Sequence, residues 1–152
     1  DSVLAMVESR MDLAEKSGCD AVEPDNVDGF SNETGLSLSD ADQIEFNASI
    51  AQMARQRGLA VGLKNSFDIA RQLVNHFDFA VTEQCHKYEE CDLIALFVEQ
   101  GKPIFNAEYP GDEAAGIELA GELCDEANEL GIHTLFLPLE LDGLWRVTCA
   151  GY

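Results

Sequence analysis

The decapeptide Ala21-Val22-Glu23-Pro24-Asp25-Asn26-Val27-Asp28-Gly29-Phe30 closes a short apolar run with a cluster of acidic and amide groups. A strand alternates its side chains, so Ala21, Glu23 and Asp25 fall on one face and Val22 and Pro24 on the other. Two carboxylates then point the same way near the end of a strand. In α/β folds the loops at the carboxyl ends of parallel strands converge on one open face, and sites are built there. The stretch therefore reads as half of an acidic site. Val81-Thr82-Glu83-Gln84-Cys85, at the end of a later apolar run, is the candidate for the other half.

Outward from this stretch the pattern alternates between helix and strand. Residues 2–16 space Val3, Met6, Val7, Met11 and Ala14 by threes and fours and stop at Gly18, which predicts an amphipathic helix. The strand 21–25 leads into a loop over 26–37, rich in Gly, Asn, Asp and Ser. Ser39 predicts a helix cap with Asp42 at the capping-box position, and Ile44, Ala48, Ala51 and Ala54 form the inner face until Gly58. A strand over 59–63 stops at Lys64-Asn65, Ser66 caps a helix over 67–75, and a strand over 77–84 is apolar enough to be covered on both faces. A loop over 85–91, a helix over 93–100, a strand over 103–109, a helix over 112–130 and a strand over 133–139 complete the series, and the tail 140–152 reads as a surface closure. Such alternation calls for parallel strands joined by right-handed crossovers in one domain, 1–152, either as a barrel or as an open sheet. No Gly-rich phosphate loop is present, which disfavours a nucleotide-binding open sheet.

The 152 residues can bury a core, and the 46% hydrophobic content argues for a folded chain despite a formal charge of −20. With 29 acidic against 9 basic side chains, the field repels phosphate backbones and anionic membrane surfaces. Nucleic acid and membrane are thus not expected partners, whereas a cationic or neutral substrate suits the field. No apolar run approaches the roughly 20 residues of a bilayer span, and no basic segment precedes an apolar one at the start.

The five cysteines are Cys19, Cys85, Cys91, Cys124 and Cys149. Cys85 and Cys91 bracket a short loop and Cys149 lies near the C-terminus, sensible places for disulfides in an oxidising compartment. The Cys85-His86…Cys91 group lacks C-x-x-C spacing and a clear fourth ligand, which favours disulfides over zinc. The odd count leaves at least one thiol unpaired, and Cys19, in an apolar setting, is expected in the core.

Four successive strands end in polar residues: Glu23, Asp25 and Asn26; Lys64 and Asn65; Glu83 and Gln84; Glu108 and Tyr109. Strand ends are also polar simply because the chain leaves the core, but four in succession favour a pocket. Cleavage of a glycosidic bond requires two carboxyl groups, one to protonate the leaving oxygen and one to stabilise or attack the sugar carbon. Asp25 and Glu83 are the pair selected on these grounds. Lys64 would hold one carboxylate ionised, while burial beside like charge would keep the other protonated. His86 follows the Glu83 strand closely, and His76 and His133 suggest no role.

The run Gly18-Cys19-Asp20-Ala21-Val22-Glu23-Pro24-Asp25-Asn26-Val27-Asp28-Gly29, with Gly62-Leu63-Lys64-Asn65, Thr82-Glu83-Gln84-Cys85 and Glu108-Tyr109, closely resembles glycoside hydrolase family 114. The resemblance covers nearly the whole chain. It implies a parallel (β/α) barrel of TIM type and cleavage of internal α-1,4 linkages in galactosamine polysaccharide. It places the catalytic carboxylates on Asp25 and Glu83, and pocket-lining positions on Glu23, Asn26, Asp28, Lys64, Asn65, Gln84, Glu108 and Tyr109. Cys85 and Cys91 match the family's disulfide loop. The implied partner is a cationic or partly acetylated galactosamine polymer, acted on by a secreted or cell-surface enzyme with no metal or cofactor.

The family's barrel has further strands ahead of the first helix seen here. The chain is therefore expected to supply roughly the C-terminal half to two-thirds of a barrel. It would then be a truncated segment, or close its barrel by self-association through an open strand edge. A carbohydrate-binding or degenerate barrel without turnover is the competing reading, followed by an unrelated α/β metal or sugar-phosphate enzyme.

Overall fold

A computed structural model describes residues 2–149. The chain divides into two compact units, Asp1–Phe79 and Ala80–Tyr152, each with its own parallel strands and covering helices.

In the first unit, α1 (Ser2–Lys16), β1 (Ala21–Val22), α2 (Asp40–Gln56), β2 (Ala60–Lys64) and α3 (Ala70–Leu73) follow in order, with single 3-10 turns on either side of α3. The inner stripe of α1 is Leu4, Val7, Met11 and Ala14, a strict helical series, while Val3 and Met6 are exposed. The clamp between α1 and α2 is Arg57, whose Nε donates to Asp12 Oδ1 at 2.7 Å while its guanidinium also reaches Glu8 at 3.3 Å. Parallel pairing sets Ala21 opposite Ala60 and Val22 opposite Val61. The first strand is shorter than the expected 21–25 because Pro24 has no N–H to give to a ladder. Residues 21–25 still alternate between outward and inward, so Glu23 and Asp25 share a face as expected.

At the start of α2, Ser39 and Asp42 form the reciprocal capping box expected of them. The inner face of α2 differs from the expectation: its buried residues are Gln43, Asn47, Ile50, Ala51 and Ala54, with Ile44 and Ala48 half-buried. Ser66 does not cap the helix after it. Its backbone is left-handed (φ 55°) and its hydroxyl is used elsewhere. The packing of β2 demands a glycine at its centre, since a Cβ on Gly62 would run into the Phe79 ring.

In the second unit, β3 (Phe79–Glu83), α4 (Cys91–Ile94), α5 (Leu96–Glu99), β4 (Ile104–Glu108), α6 (Glu113–Leu130), β5 (Ile132–Phe136) and β6 (Val147–Thr148) follow in order. The central strand β4 pairs in parallel with both β3 and β5, and β6 is antiparallel to β5. The burial of β3 alternates instead of being continuous, so one face is covered and the other half-open. Asp112 caps α6 through the Ala115 N–H at 2.9 Å, and Gly131 ends it with φ 72°. Ala127, Phe136 and Cys149 are the centre of a small core filled by Leu119, Leu123, Trp145 and Val147. The tail is therefore more than a surface closure. Up to Cys149 it adds a strand, an aromatic side chain and a cross-link, and its last three positions lie outside the described residues.

Two disulfides form, Cys85–Cys91 and Cys124–Cys149. Cys19 is a free thiol and exposed, not a core residue, because it follows the Gly18 turn at the surface. The Cys124–Cys149 bridge closes a loop with a sequence separation of 25 and ties the tail to α6. Replacing both cysteines by Ala is expected to cost about 3–4 kcal/mol through the freed unfolded chain. Urea unfolding followed by near-UV circular dichroism checks this, with Cys19→Ser as the control that leaves the midpoint in place.

Candidate active site

The first polar cluster is organised by Lys64 at the end of β2. Its stem lies in the apolar interior, leaving the side chain 10% exposed, so its ammonium must be met by charge or hydrogen-bond acceptors. Nζ donates to Asp25 Oδ1 at 2.9 Å and lies 3.7 Å from Glu23 Oε1. The alternation after β1 brings both carboxylates to the one ammonium. The Lys64 hydrogen bond holds the Asp25 carboxyl below the usual carboxylate range, helped by the Asn26 backbone N–H and Lys64's charge, while partial burial opposes them. The Asp25 side chain is 60% exposed, which leaves its second oxygen open to solvent and to a ligand. That oxygen also accepts from Asn26 Nδ2 at 3.3 Å.

Turns with left-handed residues bound this cluster: Asn26 (φ 56°) after β1, and Asn65 (φ 47°) with Ser66 after β2. Such backbone costs of order 1 kcal/mol or more per non-glycine residue and gathers where the surroundings hold it in place. Beside the cluster, a groove of ≈ 600 Å³ runs between α1 and α2. Glu23, Asp25, Asn26 and Arg10 line its polar side, and Met11, Phe46 and Ile50 its apolar side. Asp28 accepts from Asn32 Nδ2 at 3.4 Å within its own turn.

The second polar cluster is in the second unit. Tyr109, just past β4, donates its hydroxyl to Glu83 Oε1 at 2.5 Å, fixing the orientation of that carboxyl. Beneath it, Thr82, Asn106 and Thr134 stand in register across β3, β4 and β5, a buried polar row within a parallel sheet. Thr82 Oγ1 donates to Asn106 Oδ1 at 2.9 Å, and Asn106 Nδ2 donates to Glu108 Oε1 at 3.0 Å. The same two acceptors take the next backbone N–H groups, Cys85 N to Asn106 Oδ1 at 3.3 Å and His86 N to Glu108 Oε1 at 3.0 Å. Glu108 is 1% exposed, so its first task is to hold the turn that follows Glu83. Gln84 takes φ 56° in that turn, and the Cys85–Cys91 bridge closes it from the other side. His86 meets Thr134 Oγ1 at 3.2 Å, the partner that the sequence does not reveal.

Within the first unit the structure brings Glu23, Asp25, Asn26 and Lys64 together, and within the second it groups Glu83, Gln84, Glu108 and Tyr109. Cys85, His86 and Cys91 have ligand atoms within 4.8 Å of one another, but the two sulfurs are bonded to each other. Sequence reasoning missed Asn47, Ser66, Thr82, Asn106 and Thr134, all buried and polar. A signal for them exists. Gln43 and Asn47 interrupt a helical apolar stripe at a spacing of four, and Asn106 interrupts the run Ile104-Phe105-Asn106-Ala107.

The model of glycoside-hydrolase family GH114 matches residues 1–152. The crystal structure of Aspergillus fumigatus Ega3 in complex with galactosamine superposes with a TM-score of 0.89 at 37% identity, over 97% of this chain and 61% of that one. The glycoside hydrolase domain of PelA from Pseudomonas aeruginosa superposes with a TM-score of 0.70 at 18% identity, over 97% of this chain and 64% of that one, a likeness of fold alone. The chain thus spans about six-tenths of the length of these structures. No curated protein matches it.

The buried row carries a sharp expectation. Asn106→Asp puts a carboxylate where an amide now donates to Glu108 at 3.0 Å. Two adjacent carboxylates resist joint ionisation, so the variant is expected to lose about 3 kcal/mol or more at neutral pH and to recover part of it in acid. Asn106→Leu is expected to lose stability with little dependence on pH. Chemical denaturation of both variants across pH 4–8 checks the contrast.

Proposed function

Because the chain belongs to glycoside-hydrolase family GH114, we propose that it cleaves internal α-1,4-galactosaminide linkages of a galactosamine polysaccharide, with Asp25 and Glu83 as the two carboxylates of the reaction. The observation that carries this reading is the Lys64–Asp25 pair, an exposed carboxylate kept anionic by a buried ammonium. An anion of that kind suits the sugar carbon as positive charge develops there. Glu83, oriented by the Tyr109 hydroxyl, gives a proton to the glycosidic oxygen as its bond to the sugar carbon breaks, and water adds its hydroxyl to that carbon and leaves its proton on a carboxylate of the pair. The galactosamine bound in the similar Ega3 structure supports this class of substrate.

In this reading Glu23, Asn26, Asp28, Lys64, Asn65, Gln84, Glu108 and Tyr109 surround the substrate or hold the groups that do. The fold that goes with this reading is a parallel (β/α) barrel of TIM type. The charge of −20 concentrates a polymer of free amino sugars near the protein at low ionic strength. Two disulfides suit a secreted or cell-surface protein. A second reading, binding of the polymer without turnover, draws on the chain's spanning 61% of the Ega3 chain.

Incubation with a de-N-acetylated galactosamine polymer is expected to release new reducing ends. Asp25→Asn and Glu83→Gln should each lower that release by roughly 10³-fold or more with an unchanged circular dichroism spectrum. The apparent affinity should weaken as salt rises from 20 to 300 mM. Binding without release of reducing ends selects the second reading, and full activity in either variant removes that residue from its role.

A further inference from the structure

The backbone carbonyl of Val27 receives two side-chain donors from different elements. Asn47 Nδ2 of α2 donates to it at 2.9 Å, and Ser66 Oγ lies 3.2 Å away, sharing its hydroxyl with Lys64 O at 3.1 Å. All three residues are buried. Asn47 itself has one available orientation, since Gln43 Nε2 donates to its Oδ1 at 2.9 Å and leaves Nδ2 for Val27. Val27 is two residues beyond Asp25 and Ser66 two residues beyond Lys64, so the junction parallels the ion pair on the two chain segments. Asn26, left-handed at φ 56°, turns the Val27 side chain into the core and leaves Asp25 facing outward.

An amide on the inner face of a helix is costly to bury, and this one is satisfied entirely by its tie to the loop and to Gln43. Packing of α2 alone has no use for it. We propose that Asn47, oriented by Gln43 and assisted by Ser66, is a positioning residue that keeps the Asp25 carboxylate on the Lys64 ammonium by holding the Val27 carbonyl. The proposal rests on the reading of Asp25 as a carboxylate of the reaction. The charged groups around Asp25 are Lys64 from β2, Glu23 from its own segment, and Arg10 of α1, which lines the same groove. With the carbonyl released, the 25–28 segment swings, the 2.9 Å contact opens, and the carboxylate loses its main stabilising donor.

The test compares Asn47→Leu with Leu73→Ala, a core truncation on α3 outside the polar cluster that lowers stability without touching the loop. Asn47→Leu is expected to lower kcat about 10–100-fold with KM within about twofold. The acidic limb of its kcat/KM profile should move to higher pH, because Asp25 accepts a proton more readily without its donor. Its crystal structure should show Lys64 and Asp25 beyond hydrogen-bond distance. Leu73→Ala should keep the wild-type kcat, limb and contact. Should Asn47→Leu fail to fold, Ser66→Ala carries the same expectation at smaller size. An unchanged limb together with an intact ion pair in the folded variant overturns the proposal. Absence of hydrolysis by the wild-type protein overturns the functional reading alone, because the crystallographic arm still reads the position of Asp25.

Discussion

A lysine whose side chain is nine-tenths buried imposes its requirements on everything near its ammonium. Lys64 brings Glu23 and Asp25 to the end of β2, and that demand sets how the chain leaves β1. The asymmetry of the pair matters for chemistry. Its cation is buried while its principal anion is mostly exposed, so the charge is fixed from below and usable from above. Screening by solvent limits what this surface-facing pair adds to stability, and its consequence is the charge state of Asp25. The Asp25 carboxyl is lowered in the folded state, so the stabilisation it gives is present above the unfolded carboxylate range and is lost as pH falls through the folded value.

The second unit anchors its turn through buried amide and carboxyl groups. Asn106 and Glu108, on the covered face of β4, accept the backbone N–H groups of Cys85 and His86 and thereby fix the turn that follows Glu83. Buried polar groups in both units are thus spent on backbone, at Val27 in one and at residues 85–86 in the other. In each case a carboxylate, the exposed Asp25 or the half-buried Glu83, stands two or three residues from the anchored peptide. An apolar core would be the more stable filling, but it would leave these turns to adopt whatever conformation their sequence prefers.

Much of the architecture was legible because helical spacing and strand alternation are periodic: α1, α2, α6 and the strands β1 to β5 fall where the pattern puts them. Departures have local causes. Pro24 cuts β1 short, and Ser66 turns left-handed to reach Val27 in place of capping a helix. Gln43 and Asn47 occupy inner positions that a hydrophobic pattern assigns to Ile44 and Ala48. Long-range pairings leave no periodic trace, which is why the Cys124–Cys149 bridge and the antiparallel β6 came only with the structure. The acidic and amide residues at strand ends were legible as a cluster, whereas the buried polar groups beneath them read as ordinary interruptions of apolar runs.

Membership in family GH114 places the chain among glycoside hydrolases, and the two clusters hold the carboxylates that we propose for the reaction, Asp25 on Lys64 and Glu83 on Tyr109. The account depends most on Asp25 being anionic because Lys64 makes it so. Carbon-detected NMR titration of the Asp25 carboxyl, in the wild-type protein and in Lys64→Met, measures this directly. The midpoint should lie below that of a solvated aspartate, about 3.9, in the wild type and move upward in the variant. Equal midpoints in the two proteins would contradict the account.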